Sequence, residues 1–332
     1  MLKPSGWPHQ ISPFHEGEQA VQQRLGVRDK LEVSGRSGVR DYLPQQHREF
    51  FPLLPFIVLG ASDAQGQVWA SILSGVPGFL QSPTERELQI GASLAADDPL
   101  AAALQVGSSI GLLGIELQTR RRNRLNGQIT RLDEHGMQIA VKTSFGNCTK
   151  YIQQRDYQLA GLPAALPPPE QALSLDQEAI DQIAAADTFF IATDASATQA
   201  ASPERALQYG ADVSHRGGKP GFVRVDDAQT LTWPEFVGNY FFNTLGNLQL
   251  NPRAGLLFPD FVSGDLLYLT GQANIIWDGD EVAAYTGAQR LVRYRIAQVL
   301  RLRARMSLRW TLQQASPHLA KTGNWSAPCR TD

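Results

Sequence analysis

Cysteine is nearly absent from this chain. Two residues in 332, Cys148 and Cys329, exclude a disulfide framework and fit a reducing compartment. Charge of one sign is also lacking. Thirty Lys and Arg stand against 32 Asp and Glu, a net −2, and the pI is about 6.3. No overall basic field favours nucleic acid. No apolar run approaches the ~20 residues of a membrane span, and the opening MLKPSGWPHQISPFHEGEQ has no apolar signal core. The expectation is a cytoplasmic protein with neither a membrane nor a nucleic-acid partner. Asn147-Cys148-Thr149 and Asn324-Trp325-Ser326 match a glycosylation pattern that matters only in a secreted protein. His9, His15 and His47 lack metal-ligand spacing and read as surface or cap histidines, so no metal is expected. A Ser/His/Asp order and a Walker-type phosphate loop are missing too.

What the chain does have is short strands. A length of 332 residues suits about two domains of ~150 residues. Residues 1–54 form a mixed extension, with helices expected over Glu16–Leu25 and Gln45–Phe51. The apolar run Pro55–Ala61 and the segments Val68–Ser74, Leu88–Ile90, Ile110–Leu117 and Met137–Thr143 read as strands. Asp98-Pro99 predicts a helix start with Asp98 as cap, and a helix is also expected after Phe145-Gly146-Asn147-Cys148. Residues 159–174, rich in proline and alanine, form a linker. Ser174-Leu175-Asp176-Gln177 predicts a capping box opening a helix to about Ala186. Residues 175–332 then carry a second set: Phe189–Thr193, a segment with Asp212, Ser214 and Arg216, Phe222–Val225, Thr230–Trp233, Ala254–Phe258, Gly271–Trp277 and Leu291–Leu302. Ala195–Ala206 reads as a loop.

The second set repeats the first. An offset of 143 residues places Ser71 on Ser214, Gly75 on Gly218, Pro77-Gly78-Phe79 on Pro220-Gly221-Phe222 and Leu88 on Leu231. After one extra residue the offset is 144, and Gly111-Leu112-Leu113 falls on Gly255-Leu256-Leu257, and Leu125 and Gly127 on Leu269 and Gly271. Two copies of one fold, packed as an internal pseudo-dimer, follow.

The copies differ where chemistry would sit. Leu73, Val76 and Gln81 stand in the first copy at the positions of Arg216, Lys219 and Arg224. Pro99, Leu100 and Ala103 stand opposite Asn243, Thr244 and Asn247. Basic and hydroxyl side chains beside a helix start at Asn243 suit an anion, because the first backbone N–H groups of a helix are free. Pro99 removes such a donor, and Asp98 would repel phosphate. Conversely, Arg120, Arg122 and Arg124, placed on one face by strand alternation, stand opposite Gly264, Leu266 and Tyr268. Arg122 either completes an anion site in the second copy, or the arginines solvate an outer strand. Asn243 and Thr244 either contact a ligand or only cap a helix. Lys219 either serves the anion or sits solvated in its turn. Arg224 can point either way. Cys148 is a packing or a redox cysteine, and His215 could titrate near a phosphate.

The segments Asp212-Val213-Ser214-His215-Arg216-Gly217, Asn243-Thr244-Leu245-Gly246-Asn247-Leu248, Asn251-Pro252-Arg253-Ala254 and Leu269-Thr270-Gly271 resemble those of the pyridoxamine 5'-phosphate oxidase-like FMN-binding split barrels. The resemblance spans Pro55 to Arg305. It implies a mainly β fold of two tandem split barrels, 55–158 with a degenerate cofactor motif and 175–332 with the phosphate motif. It implies FMN as cofactor, with Ser214, Arg216, Gly217, Lys219, Asn243, Thr244 and Asn247 holding it. Arg121-Arg122-Asn123-Arg124 sits where the family carries its Arg-Gln-x-Arg segment, so Arg122 joins that set. The oxidases' own arginine and lysine spacing after the second strand is not reproduced, so oxidation of pyridoxamine phosphate is not implied. The implied function is flavin redox chemistry with a small-molecule substrate or a separate electron-donor protein, in a chain that could pair as a homodimer of pseudo-dimers. The alternatives are a non-enzymatic flavin or haem carrier and a cofactor-free interaction module.

Overall fold

The computed structural model describes residues 5–196 and 202–325. Cys329, Ser326 of the second sequon and part of the Ala195–Ala206 loop lie outside them. The chain opens with α1 (Glu16–Arg24), α2 (Arg28–Gly38) and α3 (Gln45–Phe50), followed by β1 (Phe56–Ser62), β2 (Val68–Ser74), β3 (Leu80–Gln81), β4 (Glu87–Ile90), β5 (Ser109–Glu116), β6 (Arg121–Asp133) and β7 (Gly136–Gly146). After β8 (Gln154–Leu159), β9 (Glu170–Ala172) and α4 (Gln177–Ala185) come β10 (Thr188–Asp194), β11 (Ala211–Gly217), β12 (Arg224–Asp227), β13 (Thr230–Glu235), α5 (Asn243–Leu250), β14 (Arg253–Pro259), β15 (Leu266–Ile276), α6 (Asp280–Ala283), β16 (Arg290–Leu302) and β17 (Leu308–Gln314).

The fold is mainly β, with two antiparallel, barrel-like sheets of the same order. The first runs β2-β1-β5-β6-β7-β4-β3 and the second β11-β10-β14-β15-β16-β13-β12, with β9 added on β16. The repeat holds in detail. Leu112 pairs with Leu125 in the first sheet, and Leu256 with Leu269 in the second. The register breaks at Asn126/Gly127 and again at Thr270/Gly271. The turns match as well. Phe79 N–H donates to Val76 O (3.0 Å) and Phe222 N–H to Lys219 O (2.9 Å), with Gly78 at φ 101° and Gly221 at φ 81°, angles that glycine adopts without steric cost.

The halves meet through small residues. A Cβ on Gly111 of β5 would lie 2.6 Å from Asp212 Cα on β11, and one on Gly255 of β14 would lie 2.5 Å from Trp69 Cα on β2. Trp69 and Asp212 are themselves repeat-equivalent, so the two contacts are one contact seen twice. β1 and β10 are buried almost throughout. That explains their continuous apolar runs, since a strand covered on both faces has no polar side to alternate. Phe190, Ala192, Val213 and Leu257 of the second half join the first half's core.

Several local expectations change. The Asp98-Pro99 segment makes tight turns (Ala101 N–H to Asp98 O, 3.0 Å; Ala103 N–H to Leu100 O, 3.1 Å) and no helix, because the Asp98 carboxylate is drawn inward. No helix follows Cys148; Tyr151 turns the backbone into the left-handed region (φ 63°) and leads to β8. Helix α4 is capped by Asp176, whose carboxylate accepts from Ala179 N–H (2.8 Å), so Ser174 is not the cap. Helix α2 was not legible, since its glycines and serines carry poor propensity; Gly35 serves there to admit the Phe14 ring. Among the described residues no helix is long and apolar enough to cross a membrane.

The close backbone approach gives a first test. Gly111→Ala and Gly255→Ala should each destabilise the protein by about 1–3 kcal/mol through overpacking. Gly238→Ala, where a Cβ meets nothing within 4 Å, should leave the urea midpoint nearly unchanged. Equal midpoints for all three would remove the interface from the account of stability.

Candidate functional site

A cleft of about 110 Å³ opens where β6 of the first half meets β11 and the start of α5 in the second. A single water needs roughly 10–15 Å³ by the same measure. The structure brings six of the expected residues to this cleft: Arg122, Ser214, Arg216, Gly217, Asn243 and Thr244. Two go elsewhere. Lys219 Nζ donates to Thr322 O (2.7 Å). Asn247 lies deeper, accepting from His15 Nε2 (2.9 Å) and donating to Thr193 Oγ1 (3.1 Å). Arg224 turns away to Asp226 and Glu281.

The strand starts at Arg121, so the arginines divide differently from a simple alternation. Arg120 is in the preceding turn at φ 58°, the position held by Gly264 (φ 82°) in the second half. Its guanidinium donates to Ile152 O (3.0 Å) and to Gln314. Arg121 packs over Phe50. Arg122 and Arg124 alone point inward, and both are buried; they do not solvate an outer face.

Arg124 crosses between the halves. Its Nη1 reaches both Asp212 oxygens (2.9 and 3.0 Å) and Asn243 Oδ1 (3.3 Å), and its Nη2 donates to Ser214 Oγ. Ser214 Oγ also meets Thr244 Oγ1 (2.8 Å). Burial lowers the Arg124 pKa, with Asp212 opposing the shift. Arg122 has a weaker set. Its Nε donates to Cys148 O (2.7 Å), and Cys148 Sγ lies 3.6 Å from Nη2. No carboxylate pairs with it among the described residues. Burial pushes its pKa down to about 10, which leaves it a cation at neutral pH. Arg216 is held by Glu235 (2.6 Å). Arg290 lies against the rings of Phe242 and Trp277.

The balance is positive. Among the described residues, Arg122, Arg124, Lys150, Arg216 and Arg290 line the cleft against one lining carboxylate, Glu235. Asp212, paired to Arg124 from behind, offsets a second cation. Among the described residues, buried polar atoms remain without a partner: Arg124 Nε, Arg290 Nε and His215 Nε2. Burial and the neighbouring Arg122, Arg216 and Arg155 hold His215 neutral, far below its usual pKa.

Helix α5 adds backbone donors. Its cap is Phe242 in the left-handed conformation (φ 65°, ψ 26°), with no side-chain cap bond, so Asn243 is the first helical residue and not the cap. Gly246 is the first to donate within the helix, to Phe242 O (2.6 Å). The N–H groups of Asn243, Thr244 and Leu245 are free of helical partners, and all three residues line the cleft. Helix N-termini of this kind favour anions. Tyr151, Phe236, Tyr240 and Phe242 supply aromatic walls.

The repeat-equivalent place in the first half is already filled. Asp98 accepts from Ser71 Oγ, from Tyr268 Oη (3.0 Å) and from Leu100 N–H (2.9 Å). Ser71, Tyr268 and Leu100 match Ser214, Arg124 and Thr244. Burial pushes the Asp98 pKa up to about 6. The sequence marked Asp98 as an anion repellent; the structure makes its carboxylate the anion.

Arg122 and Arg124 should separate in unfolding experiments on the ligand-free protein. Arg124→Met leaves Asp212 buried without its partner and should cost about 3–5 kcal/mol. Arg122→Met breaks no ion pair and should cost much less. Adding Asp212→Leu to Arg124→Met should recover most of the loss. Equal destabilisation by the two single variants would contradict this division of roles.

No protein-family model matches the chain, and no curated protein sequence matches it. Solved structures with a similar course include a candidate pyridoxamine 5'-phosphate oxidase from Lactobacillus delbrueckii, at 16% identity and TM-score 0.30, covering 39% of this chain and 94% of that one. HupZ of Group A Streptococcus aligns at 13% identity and TM-score 0.28, covering 43% and 98%. A candidate 5-nitroimidazole antibiotic resistance protein from Bacteroides thetaiotaomicron aligns at 12% identity and TM-score 0.25, covering 42% and 93%. Similarity at this level assigns no function.

Proposed function

We propose that the cleft binds flavin mononucleotide and that the chain is a flavin-dependent redox protein. The observation that carries this is the surplus of buried positive charge around the free N-terminus of α5, next to aromatic walls. A phosphate monoester carries up to two negative charges and accepts several hydrogen bonds at once. Arg122, the N–H groups of Asn243 and Thr244, and the unused Arg290 Nε match that demand. Ser214, itself bonded to Thr244, holds Arg124 in place behind them. The rings of Tyr151, Phe236, Tyr240 and Phe242 offer flat apolar surface to a planar heterocycle. His215, kept neutral, would present an imidazole nitrogen to the ligand without adding charge.

The bound flavin would supply hydride or electron transfer. The chain's own part is to anchor the phosphate, stack the ring and keep water from it. The electron partner would be a small-molecule substrate or a separate donor protein. The resemblance of the second-half segments to FMN-binding split barrels supports the choice of flavin over other phosphate esters, and the carboxylate built in at Asp98 supports one site per chain.

Titration of the apo-protein with FMN, followed by flavin fluorescence, should give one site per chain. Riboflavin, which lacks the phosphate, should bind more weakly. A charge-assisted hydrogen bond contributes about 1.5–3 kcal/mol, so Arg122→Met should weaken FMN binding by roughly ten- to a hundredfold. Leu73→Ala, at the position of Arg216 in the first half, should lower stability and leave affinity nearly alone. Riboflavin binding as tightly as FMN, two equivalent sites, or an unchanged Arg122→Met would each count against the proposal.

A further inference from the structure

The N-terminal helix reaches the anion cleft from behind. Helices α1 and α5 touch at Gly17 and Gly246: a Cβ on Gly17 would run into Gly246 O, and a Cβ on Gly246 into Glu18. Only this close approach lets Glu18 meet the first turn of α5. There Glu18 Oε1 accepts from Asn243 Nδ2 (2.5 Å), while Asn243 Oδ1 accepts from Arg124 Nη1 (3.3 Å). The other carboxylate oxygen, Oε2, accepts from His15 N–H (2.9 Å). One amide therefore stands between a buried carboxyl group and the guanidinium that spans the two halves.

The charges facing Glu18 are few. His15 Nδ1 accepts from Gly17 N–H (3.1 Å), so its proton sits on Nε2, which donates to Asn247 Oδ1 (2.9 Å). Burial drives the His15 pKa down to about 4, so this ring is no cation for Glu18. From β6 comes Arg124, already paired with Asp212 of β11. Asp212 itself opposes ionisation of Glu18. Lys142 of β7 and Tyr209 line the same small cleft, of about 30 Å³. Burial, the largest influence, pushes the Glu18 pKa up to about 8, against the bonds from His15 and Asn243.

We infer that Glu18 is a positioning residue for the anion cleft: it holds the Asn243 amide against Arg124, and its protonation sets the net charge behind that guanidinium. Ionised, Glu18 accepts from the Asn243 amide, and a second negative charge joins Asp212 behind the cleft. Protonated, its carbonyl oxygen can still accept from the Asn243 amide, so the bond from Arg124 to Asn243 Oδ1 is kept, and that charge is gone. An anion in the cleft binds better when Glu18 is neutral. By linkage, binding the anion favours the protonated acid.

The inference rests on the proposed anion cleft, and its test separates the two. Affinity for FMN and, separately, for inorganic phosphate is measured from about pH 6.5 to 9 on wild type and Glu18→Gln. Wild-type affinity for both should fall roughly fivefold or more as pH rises through about 8, and Glu18→Gln should hold the low-pH affinity throughout. Stability gives a readout without ligand. The folded pKa is raised above the unfolded value of about 4.3, so this group's stabilisation is complete below that value and lost as pH rises through about 8. The Tm of Glu18→Gln should therefore gain on wild type between pH 5 and 9. Parallel pH profiles for the two proteins would overturn the role of Glu18 while leaving the cleft intact. Failure of both FMN and phosphate to bind wild type at any pH would overturn both. If Glu18→Gln does not fold, infrared difference spectra of wild type between pH 7 and 9 decide: loss of a protonated carboxyl band supports the inference, and its absence refutes it.

Discussion

The buried contact between Arg124 and Asp212 is the interaction on which the rest of the site depends. It joins β6 of the first sheet to β11 of the second, within hydrogen-bond distance of Ser214 and Asn243. A buried ion pair is weak evidence for stability, because desolvation offsets most of its attraction. Its value here is geometric. The guanidinium has five donors in a fixed plane, and Asp212, Ser214 and Asn243 take three directions of that plane. Each of these residues belongs to an element that borders the cleft, so the pair fixes how the two halves and α5 meet.

The first half shows the same problem solved without an ion pair. Tyr268 stands where Arg124 would be, and Asp98 fills the space between Tyr268, Ser71 and the Leu100 N–H. A carboxyl group that accepts three hydrogen bonds needs no ligand to satisfy its surroundings. In the second half Arg124 is taken by Asp212, Ser214 and Asn243, while the first N–H groups of α5 and the guanidiniums of Arg122 and Arg290 line the cleft. Different substitutions on the repeated backbone have left one of the two equivalent places filled by a carboxylate and the other with unspent donors. That asymmetry arises from a handful of positions on a shared backbone, since strand order, register breaks and turns are common to both.

Much of the architecture was legible because it is written twice. The offset between Ser71 and Ser214, or Gly111 and Gly255, marks equivalent backbone positions whatever the local propensity, and Gly111 and Gly255 are where the halves touch. Composite lining of the cleft followed from the same comparison, with Arg122 in one copy and Ser214, Asn243 and Thr244 in the other. Features set by tertiary contact were not legible. Alternation could not show that Arg120 lies in a left-handed turn, nor that Lys219 is taken by Thr322. Asn243 looks like a helix cap by residue type, yet Phe242 occupies that position in a conformation no propensity favours for a phenylalanine. The cost of that conformation is offset by packing, since Phe242 lies against Tyr240 and Arg290.

The N-terminal extension was the least readable part, and the reason is physical. His15 and Glu18 lie more than two hundred residues from Asn243 and Asn247 in sequence, and nothing in their spacing announces a partner. Their burial depends on two glycines, Gly17 and Gly246, neither of which marks a turn. A glycine within a helix weakens it by about 1 kcal/mol relative to alanine, so a pair of helical glycines that face each other implies a gain elsewhere. Here the gain is contact: α1 comes close enough for His15 to bond Asn247 and for Glu18 to bond Asn243. The extension therefore completes the back wall of the site, and the polar chain from Glu18 through Asn243 and Arg124 to Asp212 joins all three parts of the molecule.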